Sequence, residues 1–399
     1  MPLRDRRHTT ADVIVVGLGA MGSAAAYHLA RRGARVLGID RFSPGHANGS
    51  SHGDSRIIRE LYYEHPCYVP LVRHAYGLWA DLAAESETSL LHVTGALMLG
   101  APDSTLLTGC RRSGLEHGVP FDTLSADEIR RRFPAMDPPD SFIGLWDTRA
   151  GYLEPETAVR AHLSLAERHG ATLRFDERVT GWEADGDGVA VTTTTGRYLA
   201  DRLVLAAGAW TTQLVPDLAL PLVVERQVLV WLDPPTPAGS PDPFAPERFP
   251  IYLCEYAPDR AVYGFPRLAS GAKAGVHHEG ERGTDADAVR RTIDDADVAR
   301  VRDALRAAVS PRLADSPIRA RTTCVYTDTP DAHFIIDAHP AHANVLIVSA
   351  CSGHGFKFAS AIGQASADLV TDRPTAVSLD PFTIARFLAP TPATDPMHA

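Results

Sequence analysis

Lysine is nearly absent from this chain. Of 39 basic residues, 37 are arginine and only Lys273 and Lys357 are lysine. A sequence that uses arginine wherever either cation serves keeps lysine where a compact ammonium is needed. Long basic runs are missing too, and the formal net charge is −10. Both facts argue against nucleic acid or an anionic membrane as partner. The five cysteines, Cys67, Cys110, Cys254, Cys324 and Cys351, show no C-x-x-C spacing. Neither a disulfide framework nor a zinc site is indicated, no metal is expected, and a reducing cytoplasm is the expected compartment. No apolar run has the length of a membrane span, and the run after the polar stretch Met1–Thr10 is too short for a signal peptide. With 45% hydrophobic and 22% charged residues among 399, the composition fits two joined domains or one large one with a sizeable core.

The strongest local signal is Asp12–Asp40, DVIVVGLGAMGSAAAYHLARRGARVLGID. Val13–Val16 read as a buried strand. Gly17, Gly19 and Gly22 follow at G-x-G-x-x-G spacing, for a tight turn, backbone approach to a pyrophosphate, and close helix–strand packing respectively. The N–H groups and dipole of the helix that begins there would face phosphates. Ala24, Ala25 and Ala26 keep its buried face thin, and Gly33 stops it. A second strand, Arg35–Ile39, ends at Asp40, whose carboxylate suits a ribose hydroxyl. Strand, glycines, helix, strand and acid in that order predict a dinucleotide site.

The loop Arg41–Ser55 leaves the carboxyl end of a parallel strand, which makes Ser51, His52 and Gly53 candidate cofactor contacts. Arg56 and Arg59 follow in RIIR and, three apart, could share one helix face. Val72, Ala75, Tyr76, Trp79 and Leu82 have helical period. Ser125 and Glu128 form a capping box. A helix over Glu156–His169 precedes strands over 172–175, 179–184 and 189–194, then the run Leu203–Ala206. Gly208, in Ala207–Trp210, falls where small residues let backbone lie close to a ligand. Residues 233–250 hold seven of the 30 prolines and read as an irregular loop. Strands are expected over 251–255, 261–265, 322–326 and 345–349, with a helix over 294–309. Gly353 and Gly355 lie in the last glycine-rich segment, ACSGHGFKF.

Several of these landmarks coincide with one family: V-x-V-V-G-x-G-x-M-G, G-S-S-H-G-D-S-R-I-I-R, Y-G-F-P, C-x-Y-T-x-T-x-D-x-H-F-I-I-D and S-G-H-G-F-K-F. From about Asp12 to Phe387 the sequence resembles the monomeric sarcosine oxidase and N-methyl-L-tryptophan oxidase flavoproteins, amine oxidoreductases of the D-amino-acid-oxidase superfamily. The resemblance implies FAD rather than NAD, and a mixed α/β fold. A Rossmann-like FAD-binding domain (10–88, 150–220 and 320–389) would alternate with a sheet-containing substrate domain (89–149 and 221–319), both discontinuous. Both lysines fall in or near matched motifs. The position of Lys273 implies a role beside the flavin in reaction with dioxygen, where an ammonium stabilises developing superoxide charge. Arg59 and Lys357 match the residues that hold the substrate carboxylate, with Arg56 nearer the flavin. His277, Tyr263 and Tyr326 match pocket positions, and Cys324 matches the cysteine bonded covalently to the flavin.

Two stretches depart from the family. Glu60–Glu64 stands where the relatives commonly read HAYGE, and PRLASGA, before Lys273, differs in length and bulk. Both are expected near the pocket mouth, so the amine substituent stays open. The resulting expectation is a monomeric enzyme that oxidises a carboxylated secondary amine with FAD and dioxygen, producing an imine and hydrogen peroxide. A cyclic imino acid oxidase (pipecolate or proline) is the alternative within the class. A dinucleotide-binding protein without turnover is the alternative from another class.

Overall fold

The computed structural model describes residues 10–236 and 238–388, so most of the polar N-terminal stretch lies outside the described residues. Ala11–Val16 is a strand with parallel neighbours on both sides. Val16 stands opposite Ile39 of Val36–Ile39 and opposite Leu205 of Arg197–Leu205. His342–Ser349 runs parallel on the far side of Arg197–Leu205, with Leu205 opposite Ile347. These strands therefore end level, and their carboxyl ends form the edge at which open α/β sheets bind ligands. The hairpin strands Val179–Asp185 and Gly188–Thr193, with Thr172–Arg174 and Ile335–His339, complete an eight-stranded sheet. The helix Ala20–Arg31 buries Ala24, Ala25 and Ala26 against the helices Pro155–Arg168 and Ala359–Val370. No helix among the described residues is long and apolar enough to cross a membrane.

A second, nine-stranded sheet supplies the other wall of the site. Next to one edge of it, Val223–Leu232 pairs antiparallel with Ile318–Asp328 along its length and with Gly271–His277 at its end. The boundary expected near residue 320 thus falls inside a strand of this sheet rather than between sheets. Side chains alternate across a strand, and the register decides which ones meet. Gln227 faces Cys324, Glu225 faces Tyr326, Trp231 faces Lys273, and Tyr263 faces Gly275. Cys324, Tyr326, Lys273, His277 and Tyr263 consequently share one face. The opposite face, with Val228, Val230, Ala272, Ala274 and Val276, packs in a core with Val298, Val301 and Leu305 of the helix Asp295–Ala308.

The RIIR segment corrects an expectation. Arg56–Ile58 is not helical but a strand paired antiparallel with Gly151–Leu153. The β-branched pair Ile57–Ile58 favours extended backbone, so the two arginines act in separate places.

One buried ion pair ties the second sheet to its helix. Arg226 and Asp297 are 2% and 1% exposed, and the guanidinium donates to both carboxylate oxygens at 3.1 and 2.8 Å. It also donates to the carbonyls of Arg290 and Thr292, each at 2.7 Å. Arg226→Met would leave Asp297 with only Arg290 and Arg300 as cationic partners, and should cost about 1–3 kcal/mol, read as a lower urea midpoint. A midpoint within experimental error of wild type would show the pair to be dispensable. The Arg226 hydrogen bonds hold the Asp297 carboxyl well below the usual carboxylate range. Its contribution is therefore complete above the unfolded carboxyl value of about 4 and fades as pH falls below that.

Candidate active site

The site is built where the carboxyl ends of the parallel strands meet the polar face of the second sheet. At the first strand end Gly17 has φ +87°, and an added Cβ would lie 2.4 Å from the Ala206 carbonyl oxygen. At Gly22 a Cβ would stand 1.7 Å from the Gly17 carbonyl oxygen, so neither position tolerates a side chain. The helix starting at Ala20 has no acidic residue in its first turn. Ser51 Oγ accepts from the Ala20 N–H at 3.2 Å. Asp40 is buried, and its carboxylate accepts from the Leu18 N–H at 2.6 Å and the Phe42 N–H at 2.8 Å. It pins the glycine turn while each oxygen keeps a second lone pair. Gly19, Gly208, Gly353 and Gly355 also line the cleft.

Further along, Cys324 Sγ faces the cleft, with an Arg56 Nη–H donated to it at 3.5 Å. Arg56 is fixed by the carbonyls of Ser50 and Ser55, both at 2.9 Å. Lys273 and His52 stand just behind this wall. The Lys273 ammonium, 1% exposed, donates to the carbonyls of Gly53 at 2.7 Å and Ser55 at 2.6 Å. It also lies 4.2 Å from the ring centre of Phe265. Burial first, and the Arg56 charge second, push its pKa well below that of an ordinary lysine. Burial and Arg56 likewise push His52 down to about 3, and its Nε2 has no hydrogen-bond partner.

The inner end holds two buried cations, Arg59 and Lys357, and an acid is paired with the first. Arg59 donates through Nη1 to the Leu61 carbonyl at 2.7 Å and through the one nitrogen Nη2 to both oxygens of Glu64 at 2.8 and 2.7 Å. Burial alone would raise the Glu64 carboxyl, but Arg59, His354 and Lys357 together outweigh it and hold the group at about 2. Lys357 donates to the His354 carbonyl at 2.6 Å and to Tyr62 Oη at 3.3 Å. Burial, then Arg59, push this ammonium down to about 7. His354 Nε2 lies 3.0 Å from the Ala332 carbonyl, which can only accept, so Nδ1 accepts from the Tyr62 hydroxyl at 2.7 Å. Hydrogen bonds therefore run in one direction from Lys357 through Tyr62 and His354 to Ala332.

Glu64, Tyr62 and His354 are site-forming residues that sequence reasoning missed. Glu64 belongs to the stretch read as a departure, where an acid five residues after a buried arginine was the available signal. On the sheet side, His277 Nδ1 lies 3.2 Å from Tyr326 Oη, and burial, then His278, push His277 well below its ordinary value. Burial raises Tyr263 to about 12. Behind them Glu225, His278 and Asp328 bring ligand-type atoms within 4.8 Å of one another. The Glu225 oxygens already accept from Gln227, the Gly280 N–H and Arg282, so this is a hydrogen-bonded charge network.

An open cleft of about 1960 Å³ joins the glycine turn to Arg59 and Lys357. The glycine cradle, the helix N-terminus free of acids, and the shielded Ser349 hydroxyl without a partner fit a dinucleotide. The inner end is left for a small anion.

Comparison with known proteins agrees with this geometry. Residues 12–369 match the FAD dependent oxidoreductase family. The chain is 43% identical to a monomeric sarcosine oxidase of Streptomyces avermitilis, over 95% of this chain and 98% of that protein. It is 34% identical to an N-methyl-L-tryptophan oxidase of Yersinia pestis, over 94% and 99%. Among solved structures, NikD, an amino acid oxidase essential for nikkomycin biosynthesis, superposes with a TM-score of 0.80 at 27% identity, covering 94% of this chain and 97% of that one. A cradle built for a dinucleotide, matched nearly end to end by such relatives, places this chain in the family of FAD-dependent oxidoreductases.

Proposed function

We propose that the chain oxidises a secondary amino acid of the N-methyl type, such as sarcosine or an N-methyl amino acid with a larger side chain, with dioxygen as electron acceptor. The observation that carries this reading is the pair of buried cations, Arg59 and Lys357, at the inner end of the cleft. Their charge is met by Glu64, whose carboxylate stands in for that of a substrate. An arriving carboxylate takes Nη2 of Arg59 from Glu64 and receives the free N–H of Lys357, both charge-assisted contacts. The same contacts set the position of the N-linked carbon. His277, kept neutral by burial, and Tyr326 line the space left for the amine. An ammonium entering beside Arg56, Arg59 and Lys357 is disfavoured, so the neutral amine, with its lone pair free, is selected. FAD supplies the two-electron acceptor and the route of those electrons to dioxygen. On the substrate, the C–H bond breaks with its electron pair, the nitrogen lone pair closes a C=N bond, and water hydrolyses the imine. Dioxygen leaves as hydrogen peroxide. Lys273 sits where a fixed ammonium favours negative charge developing on oxygen, and Cys324 is assigned as the covalent attachment point of the flavin.

Three outcomes test this reading. A carboxylate without an amine, such as methoxyacetate, should bind best below pH 7, where Lys357 is protonated. Its affinity should fall by about tenfold per pH unit above that, whereas Lys357→Arg should give a flat profile in a spectral titration. A flat wild-type profile removes Lys357 from the clamp, and decarboxylated amines turning over as well as amino acids removes the clamp altogether. Acid-precipitated, washed protein should stay yellow and lose its colour in Cys324→Ser; colour that washes out of wild type rules out the covalent link. Lys273→Met should leave anaerobic reduction by substrate intact and slow reoxidation by dioxygen about 10²- to 10³-fold, the usual effect of deleting one stabiliser of developing negative charge. Stopped-flow reoxidation at the wild-type rate would refute the dioxygen role.

A further inference from the structure

Lys273 poses a problem that its own hydrogen bonds do not solve. Its ammonium is 1% exposed, and the carbonyls of Gly53 and Ser55 and the ring of Phe265 offer dipoles but no anion. A buried ammonium without a counter-charge releases its proton. The charged and titratable groups facing it are Arg56, Cys324, His52, Asp54 and Glu156. Arg56 opposes the charge. Asp54 is solvent-exposed, where its effect is screened. Glu156 is different. It lies in the first turn of the helix Pro155–Arg168, is half-buried, and accepts the Gly53 N–H at 2.5 Å and the Asp54 N–H at 3.3 Å. Gly53 thus gives its N–H to Glu156 and its carbonyl to Lys273, so two short hydrogen bonds through a single residue link anion to cation.

We propose that Glu156 is the positioning residue of Lys273: its carboxylate fixes the Gly53 turn that receives the ammonium, and its charge keeps that ammonium protonated. The inference rests on the dioxygen role of Lys273 only for its consequence in turnover. The protonation of Lys273 can be read separately. With two lysines in the chain, ¹³C,¹⁵N-lysine labelling of the FAD-loaded enzyme gives two side-chain signals, and Lys357→Arg assigns them.

Glu156→Gln keeps an oxygen for the Gly53 N–H and removes only the charge. It should lower the titration midpoint of Lys273 by about one unit, the lower end of the effect of a neighbouring opposite charge. Glu156→Asp, which keeps the charge, should hold the midpoint near wild type, and exposed Asp54→Asn should move it less than Glu156→Gln does. Above the lowered midpoint, Glu156→Gln should reoxidise about tenfold more slowly, recover as pH is lowered, and reduce anaerobically as wild type does. A Lys273 midpoint unmoved in Glu156→Gln overturns the proposal. If Glu156→Gln does not fold, Glu156→Ser, which also removes the charge and keeps an oxygen, takes its place: a lowered Lys273 midpoint supports Glu156 as the counter-charge, and an unmoved one overturns it. A lowered midpoint with reoxidation unchanged in both Glu156→Gln and Lys273→Met leaves the Glu156–Lys273 linkage standing and removes the dioxygen role.

Discussion

Taking a cation out of water costs several kcal/mol unless something nearby restores the lost solvation. This chain does it four times around one cleft, with Arg56, Arg59, Lys273 and Lys357. Each is compensated in its own way. Arg59 has a full counter-charge in Glu64. Arg56 has backbone carbonyls and a sulfur. Lys357 has a carbonyl and the hydroxyl of a directed hydrogen-bond chain, and Lys273 has two carbonyls and an aromatic face. These demands fix the conformations of the 50–56 and 350–358 loops, because their carbonyls must point inward. The cleft is positive at its inner end because the polypeptide is folded to keep it so.

What could be read from the sequence followed the range of the physics. The glycine turn, its helix and Asp40 act on one another within about 30 residues, and spacing alone identifies them. The two lysines stood out by rarity in an arginine-rich chain. The strands Val223–Leu232 and Gly271–His277 were not anticipated, although Lys273 and His277 alternate with Ala272, Ala274 and Val276 as a strand with one polar face should. Small residues at those positions weaken the hydrophobic signal, and only pairing with distant strands reveals the face. RIIR failed for another reason. Arginine spacing suggested a helix, but Ile57 and Ile58 prefer extended backbone and find a partner in Gly151–Leu153. Glu64 was overlooked because its stretch was judged by its departure from relatives rather than by what a buried Arg59 requires.

The second sheet explains how residues spread from 263 to 326 meet one strand edge. Its register sets cleft-facing side chains on one surface and the apolar core on the other. A slip of one residue in any of these pairings would exchange the two sets. The buried Arg226–Asp297 pair lies on the core side of that surface and reinforces the register there.

Glu64 has one more consequence. It is tethered five residues from Arg59, so it competes for the guanidinium at an effective concentration on the order of millimolar or above. On the proposed function, any external carboxylate must overcome this resident ligand. Small acids at trace levels leave the guanidinium closed, and a departing product is replaced without waiting for solvent. In the proposed function this resident ligand raises the apparent dissociation constant of every carboxylate by one constant factor, so occupancy goes to those that are abundant or that gain enough from the rest of the cleft.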